Sequence, residues 1–201
     1  MNTDWPYPRW VAHRGAGKLA PENTLAAFRL GASYGYRMFE CDVKLSSDEV
    51  PFLLHDASLE RTTNGCGIAG QLSWAELARL DAGSWHSRSY AGEPIASLEA
   101  VARYCLGNGF ALNIEIKPTP GVESLTGALV ADAAARLWAH APAGTVAPLL
   151  SSFTGTATNT VAITLTGTTV DVTPSNNTVT VTSTVSPAGL IGIVKSNSTG
   201  T

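Results

Sequence analysis

The sequence predicts an α/β fold in which parallel strands are joined by helical crossovers, followed by a C-terminal tail of different character. Three observations carry that prediction. Strand-like and helix-like segments alternate up to about Phe153, the order required when helices cover the faces of a parallel sheet. The helical segments carry cap and stop signals. From Thr154 onward the chain turns to Thr, Val, Ser, Gly and Asn, with Asp171 and Lys195 its only charged side chains, a shift that marks a boundary.

The elements follow in order. Val11-Ala12 reads as a first short strand ending at His13. In "PENTLAAFRLGASYG", Leu25, Phe28 and Ala32 fall on one helical face, Asn23 or Thr24 supplies the cap, and Gly35 the stop. "RMFECDVKLS" and "VPFLLHD" read as the second and third strands. "LSWAELARLDA" opens with a Ser73–Glu76 capping box. "SLEAVARYCLGNG" is a helix with Leu98, Val101 and Cys105 inward and Gly107 near its end. "ALNIEIKP" is the fourth strand, closed by Pro118. A long helix, "SLTGALVADAAARLWAHA", leads to the fifth strand, "APLLSSF". In the tail, "NTVTVTSTV" alternates Thr and Val with the period of a half-exposed strand, and no helical pattern is present.

Bulk properties narrow the function. The 201 residues carry a formal net charge of −3, which suits one domain with a sizeable core and offers no basic face for nucleic acid. Hydrophobic residues make up 44%, yet no apolar run is long enough to span a bilayer. The N-terminal "MNTDWPYPRW" lacks the basic start and apolar stretch of a signal peptide. Cys41, Cys66 and Cys105 are an odd count without metal-site spacing, which reads as reduced thiols in a cytoplasm.

Chemistry gathers at the strand ends. His13 and Arg14 close the first strand. Glu40 and Asp42 lie two apart on the second, on one side of it. His55-Asp56 closes the third, and Glu115 and Lys117, again two apart, close the fourth. In a barrel of parallel strands those ends converge on one mouth. Glu40, Asp42 and Glu115 form a hard oxygen site for Mg²⁺ or Ca²⁺. Arg14 and Lys117 are cations fit for phosphoryl oxygens. His13 and His55 titrate in the range useful to a general acid and base. Together these suit phosphodiester hydrolysis. The neighbouring residues have plainer readings. Asp56 shapes a turn, Arg61, Thr62 and Thr63 organise the following loop, and His86 and His140 are surface residues. Cys41 points into the core, and Trp74, Trp85 and Tyr90 pack between the third strand and the next helix.

"HRGAGKLAPENT", "ECDVKLSSDEVPFLLHDASLERTTNGCG", "NIEIKP" and "PLLSSF" together resemble the glycerophosphodiester phosphodiesterases, nearly continuously from about residue 9 to 153. The resemblance implies a TIM (β/α)8-type barrel that splits glycerophosphodiesters into an alcohol and sn-glycerol 3-phosphate. It places the family's acid–base histidines on His13 and His55, its metal carboxylates on Glu40, Asp42 and Glu115, and its phosphate contacts on Arg14 and Lys117. The implied partner is a small-molecule substrate, and the implied cofactor one divalent cation.

A closed barrel needs eight strand–helix units and roughly 250 residues. About five such units precede Thr154, so the expected fold is an incomplete barrel, residues 1–153, with a Thr/Val-rich β-like or disordered tail, 154–201, that does not resemble the family. Two functions are consistent with this: a metal-dependent phosphodiesterase, or a truncated or chimeric product that keeps the motifs without the activity.

Overall fold

The computed structural model describes residues 6–152, together with the backbone of 161–164, 178–185 and 191–195; the boundary expected at Thr154 lies outside the described residues. The centre of the molecule is β1 (Met38–Leu45), buried along its whole length. It belongs to a four-stranded sheet of order β2-β1-β3-β4, with β2 at Pro51–Leu53, β3 at Ala111–Ile116 and β4 at Leu149–Ser152. β1, β3 and β4 run parallel, and the register sets Asp42 beside Glu115 and Glu40 beside Asn113.

Alternation divides β1 between two environments. Phe39, Cys41 and Val43 are fully buried in the main apolar cluster with Phe28, Val101, Cys105, Leu112, Ile114 and Val130. The aromatic rings of Phe28 and Phe39 stack there with centroids 5.1 Å apart. Glu40, Asp42 and Lys44 occupy the opposite face and are buried too. Buried charge is costly unless partnered, so this face is where chemistry is to be sought.

Helices α1 (Leu25–Ser33), α3 (Leu98–Asn108) and α4 (Glu123–Trp138) supply the covering layer. Thr24 is the cap of α1, its hydroxyl accepting from the Ala27 N–H at 3.2 Å. Ser97 caps α3 in the same way, and Gly109, in the left-handed region, ends it; Gly107 lies within the helix. The Ser73–Glu76 capping box is present, with Ser73 N–H donating to the Glu76 carboxylate at 2.8 Å, but the helix it opens, α2 (Trp74–Leu77), is a single turn. Its continuation is a tight turn built on Asp81, which accepts from the N–H groups of Gly83, Ser84 and Gly92. A smaller apolar cluster of Phe52, Leu59, Leu77 and Ile95 lies beneath this region.

Two expected strands differ from the sequence reading. The first is a single bridge, Ala12 to Phe39, with Trp10 and Val11 exposed. Pro6 and Pro8 upstream have no N–H to donate, and the chain turns immediately downstream at Arg14 and Gly15, both with positive φ. The third strand is β2, and it runs antiparallel to β1, with Val43 opposite Leu53. Only residues 46–50 separate the two, far too few for the crossover a parallel pair demands. Ser46 and Val50 instead close a tight hairpin.

In the tail, β5 (Val161–Thr164), β6 (Thr178–Val185) and β7 (Ile191–Lys195) form a second, antiparallel sheet of order β5-β6-β7. The alternating Thr/Val segment is β6.

Candidate active site

Parallel pairing of β1 with β3 puts Asp42 and Glu115 on neighbouring strands, and the two-residue period adds Glu40 on the same face. Carboxylate oxygens of these three residues lie within 4.8 Å of one another. Glu40 Oε1 and Asp42 Oδ1 are buried and have no hydrogen-bond partner among the described residues. Two orphaned carboxyl oxygens side by side are unfavourable unless a cation satisfies them, and an all-carboxylate donor set fits a hard divalent ion. Burial, with the adjacent Asp42 charge, pushes the Glu40 carboxyl up to about 7.

Cations ring this cluster. Arg14 Nε lies 3.1 Å from Asp42 Oδ2, and its backbone N–H donates to Glu40 Oε2 at 2.9 Å. Lys117 Nζ is 2.5 Å from Glu115 and 3.9 Å from Asp42. His13, largely exposed, stands with Nε2 3.9 Å from Glu40. The structure therefore gathers six of the seven expected residues around shared contacts. His55, the seventh, enters through a charged chain: its Nδ1 is 2.7 Å from Asp56 Oδ1, Arg61 grips Asp56, and Arg61 also grips Glu22, which binds Arg14. The paired guanidinium holds the Asp56 carboxyl well below its ordinary range. Burial alone would raise Glu22, but Arg61 and Arg14 bring it below that range.

Several contributors do not stand out in the sequence. Asn23 adopts a positive φ and brackets Asp42, donating from Nδ2 to Oδ2 at 2.8 Å and accepting from the Asp42 N–H at 3.1 Å. It shares the cap signal with Thr24; its tolerance of left-handed backbone is the sequence signal for a separate role. Lys44 shares the parity of Glu40 and Asp42, and its ammonium donates to the Lys117 carbonyl at 2.9 Å; burial lowers its pKa to about 8. Glu22 sits inside the "PENT" segment. His86, expected as a surface residue, is half-buried between Trp85 and Tyr90 with Nε2 3.1 Å from the Lys18 carbonyl.

Gly15 brings backbone close to backbone. A Cβ there would lie 2.8 Å from Ala27 Cβ and 2.9 Å from Phe28 N, and a Cβ on Gly31 would strike the Gly15 carbonyl. The turn carrying His13 and Arg14 is thus seated directly on α1.

Parallel strands that carry carboxylates and cations on one face, with helices covering the other, make an α/β fold of the βα-barrel class. The model of the glycerophosphoryl diester phosphodiesterase family matches residues 13–194, and the chain belongs to that family. It is 39% identical over 117 residues to the glycerophosphodiester phosphodiesterase of Caldanaerobacter subterraneus subsp. tengcongensis, covering 56% of this chain and 48% of that protein. With the Bacillus subtilis protein YhdW it shares 42% over 122 residues, 60% of this chain and 50% of the relative. Among solved structures, an Oleispira antarctica phosphodiesterase in complex with the product sn-glycerol-3-phosphate superposes with a TM-score of 0.67 at 38% identity. That superposition covers 73% of this chain and 58% of the other. The fold is accordingly that of a TIM barrel, represented by a partial sheet. The chain spans about half the length of these two relatives. Among the described residues no helix is long and apolar enough to cross a membrane.

Proposed function

We propose that this chain hydrolyses glycerophosphodiesters to an alcohol and sn-glycerol 3-phosphate, with residues 1–153 carrying the site and 154–201 outside it, although the family match itself continues to residue 194. The observation that carries the reading is the pair of orphaned buried oxygens of Glu40 and Asp42, set between Arg14 and Lys117. Family membership and the product named for the Oleispira antarctica relative support the substrate class.

Glu40, Asp42 and Glu115 would hold one divalent cation, Mg²⁺ or Ca²⁺, which when bound neutralises charge on the phosphoryl oxygens. Arg14 and Lys117 bind non-bridging oxygens and fix the phosphorus in line for attack. One of His13 and His55 takes a proton from the attacking water as the new P–O bond forms. The other gives a proton to the departing alcohol oxygen as the ester P–O bond breaks, so charge and protons balance. Asp56, as a carboxylate, can only accept, so the His55 proton resides on Nδ1 and Nε2 remains for the transfer. Unpaired Cys41, Cys66 and Cys105 suit a reducing cytoplasm.

The test is release of sn-glycerol 3-phosphate from glycerophosphocholine by the purified chain. Release with added Mg²⁺ or Ca²⁺ is expected, lost with EDTA and in His13→Ala. No release from a folded, soluble chain would assign it to the second reading, a product that keeps the motifs without the activity.

A further inference from the structure

Arg61 lies between two groups that the proposed mechanism uses separately. Its Nε and one terminal nitrogen bond the Asp56 carboxylate at 2.5 and 3.0 Å. Its two terminal nitrogens bond Glu22 at 3.0 and 2.7 Å. Beyond Asp56 stands His55 Nδ1 at 2.7 Å; beyond Glu22 stands an Arg14 terminal nitrogen at 2.8 Å. The chain of contacts thus runs His55–Asp56–Arg61–Glu22–Arg14, from the loop after β2 to the loop before α1.

We propose that Arg61 is a positioning residue that fixes the His55 imidazole and the Arg14 guanidinium relative to each other. The inference rests on the reading above for what those two groups do. Only a planar fork with five donors can engage two carboxylates in this way; an ammonium has a single point of charge. The backbone supports the role. Thr62 and Thr63 are buried, the Thr63 hydroxyl donates to the Leu59 carbonyl at 2.7 Å, and it accepts from the Gly65 N–H at 3.0 Å. Arg61 therefore projects from a pinned loop. Its side chain is 44% exposed, and ion pairs so placed add little to stability. Geometry is what they offer: a misplacement near 1 Å at a reacting group costs on the order of 100-fold in rate.

The experiment uses the 201-residue chain labelled with ¹⁵N, reading the His55 ring nitrogens and the Arg14 side-chain N–H by NMR. In Arg61→Ala both sets of signals are expected to move while the core amide fingerprint stays in place, and Arg61→Lys is expected not to restore them. Movement of only one set, or of neither, overturns the coupling. Should Arg61→Ala lose its folded fingerprint, Glu22→Gln decides: a shifted His55 signal supports the coupling, and an unmoved one overturns it. Kinetics with glycerophosphocholine give an independent readout. Arg61→Ala should lower kcat/KM about 100-fold, with Asp56→Asn acting mainly on kcat and Glu22→Gln mainly on KM. An active wild type with an equally active Arg61→Ala sinks the coupling alone. An inactive wild type sinks the hydrolase reading, and the NMR result still decides the coupling.

Discussion

Without a bound cation, the surroundings of Glu40 make it a weaker acid than a free carboxyl. Burial, joined by the Asp42 charge, raises its carboxyl from 4.5 to about 7, so between those pH values the unfolded chain ionises while the folded one holds its proton. The stability this contributes is complete below about pH 4.5 and lost as pH rises through about 7. Since each pH unit between the two states corresponds to about 1.4 kcal/mol, the whole contribution is roughly 3 kcal/mol. Urea melts in EDTA should therefore lose more stability from pH 5 to 8 in the wild type than in Glu40→Gln; equal slopes would refute the assignment. Asn23 is the second residue to test. Asn23→Ala leaves the Asp42 N–H without its Asn23 partner, leaves Oδ2 with Arg14 alone, and strains a left-handed backbone, for an expected loss of about 2–4 kcal/mol in urea. Asn23→Gly keeps the backbone and loses only the bonds, so it should fall between the wild type and Asn23→Ala. The site residues with charge at strand ends are legible because spacing along β1 and β3 fixes their faces. Asn23, Glu22 and Lys44 are not, since their roles depend on partners at 19, 39 and 73 residues' distance.

Among the elements, α1 is tied to the site most directly. Gly31 has no room for a Cβ: one would strike the Gly15 carbonyl and lie 2.9 Å from the Phe39 ring. Gly31→Ala should cost about 1–3 kcal/mol through overpacking, and should lower activity further by lifting the His13–Arg14 turn; thermal melts and the glycerophosphocholine assay separate the two effects. Thr24→Ala, which removes the cap and the hydroxyl's bond to the Pro21 carbonyl, should cost about 1–2 kcal/mol and is checked by the same melts. Caps and periodic faces are readable for α1 and α3 because they are local. The direction of β2 is knowable too, from the five residues between it and β1, but the alternation of strand and helix along the chain points the other way, and loop length prevails. The single turn of α2 is hidden because the Asp81-centred turn that ends it draws on Gly92, eleven residues on.

For the molecule as a whole, the carboxylate cluster of Glu40, Asp42 and Glu115 predicts linkage between ligand and fold. A divalent ion that binds only the native state at a hundred times its Kd adds about 2.7 kcal/mol. Thermal unfolding should shift upward with Mg²⁺ or Ca²⁺, and the shift should vanish in Asp42→Asn. An unchanged midpoint in the wild type would remove the cation from the proposed chemistry. The overall class is legible from the alternating segments and the strand-end charges. How far these units close a barrel is not, because closure depends on pairings at the sheet edges, which no local pattern encodes.

The octapeptide of β1, Met38–Leu45, writes two messages in alternate letters: the odd positions from Phe39 build the interior, and the even positions from Glu40 build the site. Losing or gaining one letter would exchange them, turning carboxylates toward the helices and phenylalanine toward the face that now holds the carboxylates. Evolution can edit this segment only by replacement, never by slippage. Copies of the gene that persist should vary in the identity of the interior letters long before they vary in their number.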